Sequence, residues 1–151
     1  MASYYSELAT KQNSPFVFNR GDGNLLTPEY NLTVARITTV AGMAVGELMY
    51  LAKLPKGAMV LGSKGQIISE DPGTGVDVTI GDLDATPDAD RYSAAVPLAE
   101  PGAAAWLYTP TWAAAYRLTQ ESWITATFTE GGSFAITAGQ DVIFLIPWVM
   151  F

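Results

Sequence analysis

The stretch SWITATFTE, residues 122–130, sets Ile124, Ala126 and Phe128 against Trp123, Thr125 and Thr127. Alternation with period two is the signature of a strand with one face buried, because successive side chains leave a strand on opposite sides. The pattern recurs. VDVTIGD alternates Val76, Val78 and Ile80 with Asp77 and Thr79, and DVIFLI alternates Val142, Phe144 and Ile146 with Ile143 and Leu145. In NLTVARITTV, Leu32, Val34 and Val40 share a face with Arg36 and Thr38, while Ala35 and Ile37 face the other way. GELMYLAKL (46–54) is apolar on both faces, as in a central strand.

Turn signals punctuate these runs. Pro55 ends a strand because it cannot donate a ladder hydrogen bond, and Gly57 tolerates the turn that follows. Asp71-Pro72-Gly73 stops QIISE, GGS is expected to reverse the chain after SWITATFTE, and Thr137-Ala138-Gly139 supplies a glycine for a hairpin. About eight short strands spaced this way predict an all-β, antiparallel β-sandwich or barrel. TPTWAAAYRL (109–118) admits two readings, a helical turn with Thr109 as N-cap and Pro110 at its first position, or a strand.

Residues 1–30 show no sustained periodicity and read as an extended N-terminal arm; the sandwich domain spans 31–151. Tyr4, Tyr5, Phe16 and Phe18 give the arm anchors for a neighbouring subunit or surface. No basic-then-apolar leader is visible, and the apolar stretch at 41–54 is too short to span a bilayer, so a soluble protein with no membrane partner is expected.

The 151 residues carry fifteen acids against eight bases, a net charge of −7. The excess is local: residues 70–90 hold seven carboxylates and no Lys or Arg. Nothing resembles a basic stripe, so no nucleic-acid partner is expected. The chain has neither Cys nor His. Disulfides, thiolate metal sites and nucleophile–imidazole catalysis are therefore excluded. The isolated glutamates Glu47, Glu100, Glu121 and Glu130 have no recognisable catalytic context, and neither catalytic residues nor a cofactor are expected.

Two local features invite a sharper reading. Asp82, Asp84, Asp88 and Asp90 could offer oxygens to Ca²⁺, although their spacing is not that of an EF-hand and Pro87 interrupts it. The plainer reading is a solvated loop pinned by Arg91 through Asp82, Asp88 or Asp90. Trp106, Tyr108, Trp112, Tyr116 and Trp123 form an aromatic concentration suited to a core and a subunit interface, or to a platform for sugar rings.

LAKLPKGAMVL, TIGDLDATPDADRYSAA, YRLTQESWITATFT and ITAGQDVIFLIPW, in that order, resemble the capsid decoration, or cement, proteins of tailed bacteriophages. The resemblance covers roughly residues 40–148 and includes no catalytic signature. It implies a jelly-roll-like sandwich, and a homotrimer on the outer capsid surface that stabilises the head where capsomers of the major capsid protein meet. Synthesis in the host cytoplasm follows from such a role. A virion-associated carbohydrate-binding or fibre module is the alternative, with the tryptophans as its platform.

Overall fold

Two sheets carry the alternating segments, and their buried faces meet in a common core. The computed structural model describes residues 3–5, 30–98, 101–107 and 116–150. The strands are β1 (Ser3–Tyr5), β2 (Tyr30–Thr38), β3 (Leu48–Leu54), β4 (Met59–Val60), β5 (Gln66–Ser69), β6 (Gly73–Asp82), β7 (Asp88–Pro97), β8 (Gly102–Ala105), β9 (Ser122–Ile136) and β10 (Asp141–Val149). One sheet has the order β1-β3-β9-β6-β7 and the other β2-β10-β5-β8, with β4 also paired to β10. All pairings are antiparallel except β1 with β3. Without β1 and β4, eight strands remain in two four-stranded sheets, in the order of a jelly roll. Among the described residues no helix is long and apolar enough to cross a membrane.

The inward positions are those the alternation marks. Ala35 and Ile37 of β2, Val76, Val78 and Ile80 of β6, Ile124, Ala126 and Phe128 of β9, and Val142, Phe144 and Ile146 of β10 are all buried. In β3 the apolar character of both faces has a local cause. The pairing with β9 slips between Tyr50 and Ala52, and this bulge leaves the adjacent Leu51 and Ala52 both fully buried.

The GGS segment departs from expectation: it does not reverse the chain, and β9 runs through it to Ile136. Val76 pairs with Glu130 whereas Thr74 pairs with Ala135, so β9 accommodates extra residues opposite Gly75 as a bulge. Gly75 has φ +62°, and a side chain there would strike the Ser133 carbonyl. The Thr137-Ala138-Gly139 turn does require positive φ, +82° at Gly139. It joins strands of different sheets rather than closing a hairpin.

Three residues at the start of the expected arm are described. Ser3–Tyr5 form a strand of the sandwich, parallel to Leu48–Tyr50 of the same chain. This covers backbone groups of β3 that would otherwise form an open sheet edge. The ambiguous segment 109–118 lies mostly outside the described residues. Within it, Arg117 bridges to Met59 and the Leu118 N–H donates to the Ala58 carbonyl at 2.9 Å.

Candidate functional site

The β6–β7 hairpin ends in the acid-rich loop, and its geometry is set by two buried carboxylates. Asp82, the last residue of β6, has a side chain with no solvent exposure. The Tyr92 hydroxyl donates to it at 2.6 Å and the Asp84 backbone N–H at 3.0 Å. Arg91 Nε lies 2.8 Å from Asp82 Oδ2 as an ion pair. The far end of the same guanidinium donates to the Thr86 carbonyl at 2.6 Å, and the group lies 3.8 Å from the Tyr116 ring centroid. Arg91 thus pins the loop as its sequence position implies, and the carboxylate it takes is Asp82.

Asp84 reaches the segment before β9. It accepts from the Thr119 N–H at 2.8 Å, the Thr119 hydroxyl at 2.9 Å, the Gln120 N–H at 3.2 Å and the Tyr116 hydroxyl at 2.7 Å. Burial alone would raise this carboxyl's pKa, but the donors from Thr119, Tyr116 and Ala85 outweigh it and lower the value to about 2. At Asp82 the balance goes the other way. Burial pushes the carboxyl up, and its two hydrogen bonds and Arg91 offset this only in part. The phenols of Tyr92 and Tyr116 are both raised, chiefly by burial and then by the facing aspartates.

These facts correct the picture of a solvated loop, because Asp82 and Asp84 are only 1% and 2% exposed. The physical reason is the set of donors that converge on them: the buried Tyr92 phenol on Asp82, and the half-buried Tyr116 phenol with the Thr119 and Gln120 amides on Asp84, each carboxylate supplying several lone pairs. Asp88 sits opposite Asp82 in the β6–β7 register, and both it and Asp90 are closer to solvent than the buried pair. Asp90 N–H donates to Asp88 Oδ1 at 3.2 Å, and the hydrogen bond between the two side chains, followed by burial, raises the Asp90 carboxyl. The four aspartates do not converge. Among the described residues no group of three or more Asp, Glu, His or Cys is placed to hold a metal ion.

The aromatic candidates are dispersed. Trp106 is 5% exposed and belongs to the core. Its indole lies so close over Gly65 that any Cβ there would collide with it. Trp106 therefore offers no ring face to a partner. Trp123 is half-buried on the outer side of β9, edge-on to Tyr50 at 5.6 Å and with Lys53 Nζ 5.9 Å from its ring centre. Lys53 also pairs with Glu121 at 2.7 Å. Tyr4 packs half-buried against the core, and burial and Glu47 raise its phenol. Tyr5 lies in β1, whereas Phe16, Phe18, Tyr108 and Trp112 fall outside the described residues.

Sequence reasoning missed Thr119 and Gln120 as partners of the aspartate loop. The available signal was weak: YRLTQES holds a hydroxyl and an amide just before a strand, which is common in loops and names no partner.

No protein-family model matches the chain, and no curated protein sequence is similar to it. Solved structures share its fold. A chain from the capsid of Ralstonia phage GP4 superposes with TM-score 0.72 at 13% identity, covering 99% of both chains. A chain from the capsid asymmetric unit of cyanophage Pam1 gives 0.61 at 18% identity, covering 92% of this chain and 97% of that one. A chain from the acid-stable capsid of Helicobacter pylori bacteriophage KHP30 gives 0.52 at 16% identity, covering 81% and 90%. The class these observations define is a single jelly roll with the fold of chains found in phage capsids.

Proposed function

We propose that the protein is a structural component of a phage virion. In this reading it binds the outer surface of the head as a homotrimer and braces neighbouring capsomers of the major capsid protein. The observation that carries the reading is the end-to-end fold match, 99% of both chains, to a chain of a phage capsid. The absence of His and Cys from the sequence favours a role without catalysis.

The mechanism is mechanical. A decorating subunit buries surface on both sides of a capsomer junction, so opening the junction also requires stripping the decoration. Once one subunit of a trimer has docked, the other contacts become intramolecular, and avidity exceeds single-site affinity by about 10²–10⁴. A subunit serving as such a brace must transmit load without its loops yielding. The cross-linked aspartates suit that demand, since Asp84 fastens the β6–β7 loop to the segment entering β9.

The carbohydrate-platform alternative gains no comparable support, with Trp106 inside the core and Trp123 engaged by Tyr50 and Lys53. The test is to add purified protein to phage heads stripped of surface proteins, sediment them and measure their melting temperature. Saturable co-sedimentation with a rise in head melting temperature is expected. Protein left in the supernatant at all ratios overturns the reading.

A further inference from the structure

Ser3–Tyr5 lie along Leu48–Tyr50 in parallel register, and β1 borders no other strand of its sheet. The contact has the form of an added strand, in which backbone groups supply attraction and side chains supply the fit. The fitting side chain is Tyr4, half-buried against the core with its phenol hydrogen-bonded to the Glu47 carboxylate. That acceptor is held from the opposite side. The Ala44 N–H donates to Glu47 Oε2 at 2.8 Å, and the Phe128 N–H to the Glu47 carbonyl at 3.3 Å. The slot on β3 therefore stands whichever chain fills it.

The chain between β1 and β2 is longer than one sandwich requires. Tyr5 is level with Tyr50, whereas Tyr30 opens β2 opposite Val149, at the end of the sandwich where β3 finishes. About four residues of strand and one sheet spacing part them, a direct path of roughly 17 Å. Residues 6–29 reach ~80 Å at full extension. That is several times the path, and exceeds the width of a neighbouring five-stranded sheet, about 25 Å.

We infer that β1 is an exchanged strand: in the assembled protein Ser3–Tyr5 of one copy occupies the β3 edge of the next, in the same register. The inference rests on the homotrimer reading above and names a contact that builds it. Exchange reproduces in full the contacts made within one chain. Symmetry agrees, because a strand given to one neighbour and received from another is a heterologous contact, which closes into a ring. Charge agrees as well. Ser3–Tyr5 and Leu48–Tyr50 contain no charged residue, so the exchanged contact avoids the acid excess at 70–90. One three-residue strand is a weak tie, but a ring holds all its strands at once and gains by avidity.

The test uses the full chain without phage heads. The chain has no cysteine, so Ser3→Cys and Leu48→Cys, at paired positions, report where β1 lies. The two single variants are co-expressed and treated with a short bismaleimide, so that a 3–48 link can form only between copies. Mass spectrometry of the joined peptides is expected to show that link. Ser3→Cys co-expressed with Ile68→Cys, on β5 of the other sheet, is expected to give none. Tyr4→Ala is expected to weaken assembly at least tenfold in sedimentation equilibrium. A trimeric wild type whose co-expressed variants lack the 3–48 link, or equal assembly of Tyr4→Ala and wild type, overturns the inference and leaves the homotrimer reading intact. A monomeric wild type overturns both.

Discussion

The Tyr116 hydroxyl donates to Asp84 at 2.7 Å and ties together two loops 32 residues apart in the chain. The same Tyr116 ring lies 3.8 Å from the Arg91 guanidinium, which is paired with Asp82. Each member of this network holds another in place. Tyr116→Phe should keep the stacking and lose one hydrogen bond to a charged acceptor, a cost of about 1.5–3 kcal/mol. Chemical denaturation at neutral pH reads this directly, and a loss below ~0.5 kcal/mol would show that the bond contributes little.

Asp84 makes stability depend on acid in a defined window. Its folded pKa is lowered from 3.8 to about 2, so the unfolded state binds a proton first as pH falls. The stabilisation, about 2 kcal/mol by linkage, is present above pH ~4 and is lost as pH falls through about 2. Asp84→Asn should therefore be less stable than wild type at pH 7, with the gap narrowing between pH 4 and pH 2. Urea titrations across that range measure it, and a gap that does not change with pH contradicts the assignment.

Asp82 has the opposite sign. Its folded pKa is raised by burial, so its contribution favours the fold below the unfolded value and fades as pH rises through the folded one. Arg91→Ala leaves this carboxylate buried without its counter-charge and should cost about 3–5 kcal/mol at pH 7. Part of that loss should return on acidification toward pH 4, or on adding Asp82→Asn. Equal destabilisation at both pH values and in the double variant would refute the pairing.

Gly65 is a test of packing rather than charge. Any side chain there meets the Trp106 indole, so Gly65→Ala must displace a buried ring, at about 1–3 kcal/mol. Calorimetry should show a lower melting temperature, and an unchanged one would mean that the indole is free to move.

The first strand makes a prediction for hydrogen exchange. Ser3–Tyr5 pair with Leu48–Tyr50, so removing residues 1–5 should speed amide exchange on β3 and leave β10 protected. Unaltered exchange at Leu48–Tyr50 would place β1 elsewhere in solution.

Much of the fold is legible in the sequence because a half-buried strand writes its two faces into alternate residues. Val76, Val78, Ile80, Phe128 and Phe144 are inside for that reason. The GGS segment misleads because glycine serves turns and bulges alike, and only the slipped pairing opposite Gly75 decides between them. The aspartate loop is half legible. Arg91 stands out as the base nearest an acid run, but the burial of Asp82 and Asp84 depends on Tyr116, Thr119 and Gln120, which local pattern does not bring together. Trp106 looks like an interface residue by composition, and the gap over Gly65 that makes it a core residue exists only in three dimensions.

The measurement that bears most directly on the proposed role is a cryo-EM density map of the virion containing this protein. The account predicts jelly-roll density of this chain in clusters of three on the outside of the head, bridging adjacent capsomers. Density for it in the tail alone, inside the shell, or as isolated single subunits would contradict the account.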